Sequence, residues 1–410
     1  MFYNLLETQL DDVTEFWKAY PLSSRIDIVR RGHPRLAWLY EKPDTSTFRY
    51  RCFNTTGTIN AVCPDIGAAW FSLDEMPEVL SIIGHLDVLV VCRVRYDSQI
   101  ARIISRSIAS GTSVLFDCDD LVFNSRYVHM VMKTLDQPDN NPSGWDFWHS
   151  YIGRIEATAQ LCQGSISTNS FLNEMIQKTF GYSYGAIVNN YLARDQENIS
   201  LRLLAAKRER GYVGDGNVTI GYFSGTPTHN KDFAVVVPAL GRLLASDPRT
   251  RLRIVGYAPP HTQLINFSDR IEVVPFQDHL NLQRLIAEVE INIAPLQDNE
   301  FTNCKSELKY FEAAAVGTWT VATPTHAFRQ AIRDGITGRL AREHEWDQAL
   351  MEAVDLVRDS SRYAEIAETA ASECYSRYGW DKQAGDILAA TRTGHLDYAE
   401  SMSSKCGQRD

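Results

Sequence analysis

No Cys-x-x-C pair occurs in the 410 residues, although eight cysteines stand at positions 52, 63, 92, 118, 162, 304, 374 and 406. That excludes a zinc ribbon and a thioredoxin-like motif. Without disulfide-like clustering, a reducing cytosol is the expected compartment. Basic residues are also short: 41 against 51 acidic ones, for a net charge of -10, which argues against nucleic acid as the main partner. No apolar run approaches the roughly 20 residues needed to span a bilayer, so any membrane contact would be peripheral. The opening MFYNLLETQLDDVTEFWKAY carries acids where a secretion signal needs bases. Neither the phosphate-loop pattern G-x-x-x-x-G-K-[ST] nor the dinucleotide fingerprint G-x-G-x-x-G is present. Internal repeats and low-complexity tracts are missing too.

What remains is an ordinary globular composition, 44% apolar and 22% charged, on a length that allows two or three domains. In residues 1–35, Leu5, Leu6, Leu10, Val13, Phe16 and Trp17 recur at helical spacing, which predicts a helical extension capping the rest. From Leu36 short apolar runs alternate with helical stretches: LAWLYE, AAWFSL, DVLVVCR, SVLFDCDD, GSISTN and GAIVNN read as strands. A charged passage at 193–217 predicts a polar linker. The alternation then restarts with VTIGYFSG, LRIVG, IEVVPF, INIAPL and TWTVAT. The expected fold is α/β: two doubly wound, Rossmann-like domains, 36–195 and 196–376, facing a central cleft, with 377–410 crossing back to the first. Ligands then belong at the carboxyl ends of the strands.

Two stretches at such ends carry chemistry. In GYFSGTPTHNKDF, Gly225 leaves room for a ligand and Lys231 stands near a helix start that favours anions. An ordinary strand-to-helix turn would look the same. In CKSELKYFEAAAVG, Ser306 reads as an N-cap, Gly317 as the stop, and Lys305, Lys309, Glu312 and Val316 as one helical stripe. Two lysines four apart repel. The stripe is either a solvated face with a weak ion pair or a cradle for a diphosphate, with Glu312 accepting from hydroxyls.

FEAAAVGTWTVAT resembles the signature of the family 4 glycosyltransferases of GT-B fold, whose helix ends LEAxAxG-x-P-x-V-A. In the same order, TFRYRCFN, VLFDCDDLVF, GSISTNSFLNEMI, AIVNN, AFRQAIRDGITGRLA and YGWDKQAGDILAA are similar to further family segments. The resemblance implies a retaining transferase that uses a UDP-, GDP- or dTDP-linked sugar as donor. It implies no cofactor and no metal, and a glycan, lipid-linked or protein acceptor. The setting would be cytoplasmic, with peripheral contact at the inner membrane face.

By resemblance Glu312 is the second acid of the E-x7-E pair, on the ribose, and the first acid falls on Cys304. The arginine–lysine pair falls on Thr226 and Lys231, and Lys305 is expected to supply the missing charge. Asn303, Ser306, Glu307, Leu308 and Lys309 complete the donor cradle, with Gly256 and Phe276 toward the nucleobase. Asp119 takes the place of the family histidine near the donor sugar, beside Asp120. Arg49 in the RYR segment and Trp145 and Trp148 in GWDFWH are expected on the acceptor side. DCDD also allows a D-x-D metal site at Asp117 and Asp119, as in the other glycosyltransferase fold. The lost arginine and acid motivate a rival, a catalytically weak scaffold subunit of a glycan-assembly complex, and a third option is a GT-B epimerase or phosphorylase.

Overall fold

The computed structural model describes residues 1–6, 10–138, 140–225, 230–257 and 261–391. The chain divides into two units. The first comprises Glu15–Val131, Pro138–Tyr191 and the chain from Trp380; the second comprises Met1–Thr14, Met132–Gln137 and Leu192–Gly379.

The first unit is built on a wholly parallel sheet in the order β2-β1-β3-β4-β5-β6. Its strands are β1 (Arg35–Tyr40), β2 (Gly67–Ser72), β3 (Val88–Cys92), β4 (Ser113–Cys118), β5 (Gly164–Ser167) and β6 (Gly185–Ile187). Strands β2 and β3 are buried along their whole length, as continuous apolar runs in a parallel sheet should be. The Ala384–Thr391 helix packs on the Asn54–Val62 helix of this unit, and Tyr184 donates its hydroxyl to the Ala390 carbonyl at 2.9 Å.

The second unit holds β7 (Val218–Ser224), β8 (Thr250–Gly256), β9 (Ile271–Val274), β10 (Ile291–Ala294), β11 (Trp319–Ala322) and β12 (Arg339–Leu340). Their order, β12-β11-β10-β7-β8-β9, is again all parallel. It reverses direction between β7 and β10, which is where such sheets place ligands.

Two expectations fail. Residues 5, 6 and 10–15 form no helix, 7–9 lie outside the described residues, and the first helical turn among the described residues is Phe16–Ala19, followed by Leu22–Arg31. Asp12 accepts from both the amide and the hydroxyl of Thr14, a local turn that competes with helix. Leu5, Leu6 and Leu10 nevertheless pack on the apolar core of the second unit. The predicted polar linker is instead the Arg194–Glu209 helix, which buries Gln196, Ile199, Ser200, Leu203, Leu204 and Lys207. Its inward stripe includes polar side chains, so its period is hidden in a hydropathy pattern. Lys207 earns its burial by bonding Thr318 Oγ1 at 2.9 Å and reaching the carbonyls of Val289 and Gly317.

Candidate functional site

Strand β7 ends at Ser224, and the chain turns at the exposed Gly225. Among the described residues a Cβ added at Gly225 would meet nothing within 4 Å, so no described neighbour requires a glycine there. Thr226 lies outside the described residues. We therefore expect Gly225→Val to change stability by less than about 0.5 kcal/mol while weakening nucleotide binding. Thermal unfolding and nucleotide titration check this, and unaltered affinity would count against a ligand at this turn.

The Asn230–Ala234 helix follows. Lys231 is bound to Asp136 Oδ1 at 3.1 Å and to the Lys133 carbonyl at 2.8 Å, within the same unit. Its neighbour Asp232 is buried, and Asp232 Oδ1 accepts from the backbone and side-chain amides of Gln297, both at 3.1 Å.

After β10 the chain forms a four-residue helix, Glu300–Asn303, then an open turn, then the Leu308–Ala314 helix. The two lysines are therefore not on one helix, which corrects the expected stripe. Lys305 stands in the turn, its ammonium 4.5 Å from the centre of the Phe301 ring. The N-cap is Glu307, not Ser306. Asn303 accepts the His326 amide at 2.6 Å and donates to the Asn299 carbonyl at 2.8 Å, so it braces the turn. Cys304 is fully buried, its amide bonded back to Glu300 and Phe301. Glu307 is also buried, with Oε1 accepting from the Tyr378 hydroxyl at 2.8 Å, and its carboxylate thus anchors the Ser360–Tyr378 helix. Leu308 opens the second helix, half-buried.

Lys309 and Glu312 do lie on one helix. Lys309 Nζ is buried, makes no hydrogen bond among the described residues, and lies 5.0 Å from the centre of the Tyr222 ring on β7. Burial pushes its pKa down to about 8, with Asp232 and Glu312 working to raise it and Lys305 to lower it. Glu312 is buried, and its Oε1 accepts from Gln196 Nε2 at 3.2 Å. Gln196 also bonds Gln283, which in turn donates to the Glu312 carbonyl at 2.7 Å. Neither glutamine was marked by the sequence, because amides inside helices carry no periodic signal.

Gly256 closes β8 at φ 89°, and a Cβ there would meet the Ser224 carbonyl oxygen at 2.0 Å. Close approach of β7 therefore demands that glycine without any ligand. Phe276 is partly exposed and tilted against Tyr257, with ring centres 5.9 Å apart. Tyr257, which the sequence reading missed, is the more exposed of the two.

In the first unit the carboxyl end of β4 is organised by arginines. Asp117 is buried and holds Arg51 with both oxygens, at 2.8 Å each, while Arg51 also donates to the Val188 carbonyl at 2.6 Å. Asp117 is thus committed to a guanidinium, which removes one arm of the D-x-D reading. Asp119 is committed as well: Oδ1 accepts from Arg93 at 2.9 Å and Oδ2 from Thr47 at 2.8 Å. Burial works to raise the Asp119 pKa, but Arg93, Thr47 and Arg51 hold it below the usual carboxylate value. Asp119 is therefore a fixed anion that positions Arg93. Arg93 sits at φ 51°, a strained conformation for a non-glycine residue, and also reaches the Tyr151 hydroxyl at 3.2 Å. Asp120 Oδ1 accepts from the Leu121 amide at 3.0 Å. Arg49 is buried with its guanidinium 4.0 Å from the centre of the Tyr50 ring.

Trp145 and Trp148 lie on the Pro142–Ala159 helix, both half-buried. Trp145 stacks with His149, and Trp148 meets Phe147 and Tyr151 edge-on. Phe147 is the exposed ring of this group and stacks on Tyr151 at 5.9 Å. Among the described residues no group of three or more His, Cys, Asp or Glu is placed to hold a metal ion. No described helix is long and apolar enough to cross a membrane.

Comparison with known proteins falls on this geometry. Residues 217–359 match the family model described as glycosyl transferases group 1. A D-inositol 3-phosphate glycosyltransferase of Mycobacterium ulcerans is 25% identical over 142 residues, 34% of this chain and 30% of that protein. The Mycobacterium avium protein of the same name is 27% identical over 134 residues, 33% of this chain and 30% of its own. The match thus spans less than a third of those relatives. Among solved structures, Anabaena HepE in complex with UDP-glucose aligns with a TM-score of 0.56 at 13% identity, covering 90% of this chain and 99% of that one. WaaG, a glycosyltransferase involved in lipopolysaccharide biosynthesis, aligns with a TM-score of 0.57 at 12% identity, covering 86% and 99%. Residues 217–359 of the second unit thus match the glycosyl transferases group 1 model, and the chain shares the fold of these solved structures.

Proposed function

We propose that the protein transfers a sugar from a nucleotide-sugar donor to an acceptor hydroxyl in glycan biosynthesis, with retention at the anomeric carbon. One observation carries this reading. At the end of the second sheet where strand order reverses, a buried carboxylate held by Gln196 and two lysines whose charges interact gather at the group 1 domain.

In this reading Glu312 accepts from the ribose hydroxyls, its orientation fixed by Gln196. The departing diphosphate develops negative charge, and Lys305, Lys231 and the amides of the turn before Leu308 stabilise it without reorganisation. Lys231 first exchanges its contact with Asp136; a partly exposed pair of that kind is worth about 0–1 kcal/mol, so the exchange is easy. No metal or cofactor is assigned. A uridine donor is proposed first because HepE is seen with UDP-glucose, with GDP- and dTDP-sugars as the alternatives. On the acceptor side Phe147, Trp148 and Tyr151 offer ring faces of the kind sugars stack on. A cytoplasmic setting, peripheral to the membrane, is part of the same proposal.

The test is incubation with UDP-, GDP- and dTDP-sugars and a panel of glycan and lipid-linked acceptors, with the anomeric coupling of any product read by NMR. An α-linked donor should give an α-linked product; a β-linked product would overturn retention. The buried Cys304 favours one rival, a scaffold that binds nucleotide without turnover. Nucleotide binding with no transfer to any acceptor would establish that rival.

A further inference from the structure

We propose that Lys309 is a buried phosphoryl ligand of the donor site, and that anion binding and protonation of its ammonium are linked. The inference rests on the transferase reading above and deepens it.

Three observations converge on the side chain. First, Lys309 Nζ is buried and makes no hydrogen bond among the described residues, a costly state for an ammonium with three donors to satisfy. Other buried charges of the second unit are partnered: Lys207 on Thr318 and two carbonyls, Arg253 on Glu288 and Glu272. Second, the side chain leaves the Leu308–Ala314 helix toward the Tyr222 ring of β7, at the strand-order reversal. Third, the acids around it are committed elsewhere. Asp232 on the Asn230–Ala234 helix holds Gln297, and Glu312 on Lys309's own helix holds Gln196. From the turn, Lys305 adds like charge. Tyr222 contributes a ring face, its hydroxyl held neutral because burial raises its pKa.

Such an ammonium lacks an anion. A diphosphate supplies acceptor oxygens and negative charge. Lysine and arginine differ here in one respect: an arginine stays charged at any working pH, whereas this lysine does not.

The sign follows from the free-state value. With its pKa pushed down to about 8, free Lys309 is increasingly neutral as pH rises above that point. A bound diphosphate favours the charged form and raises the pKa. Binding therefore takes up a proton in the window from about 8 upward, and affinity falls there by up to about tenfold per pH unit. Below about 7 the lysine is charged in both states, and this linkage vanishes.

The experiment is calorimetric titration of the full chain with UDP, GDP, ADP, dTDP and inorganic pyrophosphate at pH 7 and pH 9, in two buffers of different ionisation enthalpy. Wild type should take up close to one proton at pH 9 and little at pH 7. Lys309→Met should lose affinity by about 10- to 100-fold at pH 7, the range of a charge-assisted hydrogen bond, and should lose the proton uptake. Lys309→Arg, charged throughout, should bind without proton uptake, which a merely structural lysine would not produce. Circular dichroism confirms that each variant is folded. Proton uptake and affinity unchanged in both variants overturn the assignment of Lys309 while leaving the transferase reading intact. Failure of every nucleotide and of pyrophosphate to bind wild type overturns the transferase reading, and this inference with it.

Discussion

Lys305→Ala is expected to lower turnover about 100-fold or more, since removing one preorganised donor from a developing oxyanion costs about 3 kcal/mol of barrier. Lys305 sits in the turn between two short helices, outside both, with its ammonium over the Phe301 ring. In that placement Lys305 differs from Lys309, which lies on the second helix with its ammonium buried. Lys305 is the lysine that can meet charge as it appears, rather than charge already present in the bound donor. The loss should therefore fall on kcat more than on KM, because uniform binding changes KM alone. The same substitution should leave the fold intact, as Lys305 is only partly buried. Lys231→Ala is expected to act in the same direction. Near-wild-type rates in both variants would remove the lysines from the chemistry.

Arg51→Met is expected to cost about 3–5 kcal/mol of stability, the range for stranding one partner of a buried ion pair. Arg51 and Asp117 are both buried, and their two parallel contacts of 2.8 Å tie the Arg49–Phe53 turn to the end of β4. Arg51 also bonds the carbonyl of Val188, just past β6, so three parts of the first unit depend on it. A loss of that size should lower the first unit's melting temperature by about 10 °C. Asp117→Leu combined with Arg51→Met should recover part of the loss, since an apolar pair leaves no charge unpaired. A double variant no more stable than either single one would show that the pair does more than neutralise itself.

Much of the fold was legible in the sequence because parallel strands buried on both faces read as apolar runs. DVLVVCR, SVLFDCDD and INIAPL end within a residue or two of β3, β4 and β10. Strand β12, two residues long, carries too little pattern to stand out. The N-terminal helix and the polar linker failed for opposite reasons. Apolar residues at helical spacing there pack from a non-helical chain held by an Asp12–Thr14 turn. In the Arg194–Glu209 helix, buried Gln196 and Lys207 interrupt the apolar period that a helix is recognised by.

The site was legible in its residue types more than in its geometry. Glu312, Lys305 and Lys309 were expected on one continuous helix where the chain breaks at Cys304–Glu307. Spacing cannot reveal such a break, because nothing in CKSE forbids helix. Asp117 and Asp119 looked like a metal pair, yet each is claimed by an arginine distant in sequence, and only the fold brings Arg51 and Arg93 to them. Asn303, Cys304 and Glu307 prove to be braces of the cradle, with side chains turned inward.

The most direct test of nucleotide binding at the second unit is a thermal-shift titration of wild type and Glu312→Ala with UDP, GDP, ADP and dTDP, with and without a chelator. One nucleotide at about 100 times its dissociation constant should add about 2.7 kcal/mol of stability to wild type. That gain should be indifferent to the chelator and largely lost in Glu312→Ala. No shift with any nucleotide, or an equal shift in Glu312→Ala, would contradict a donor site built on Glu312.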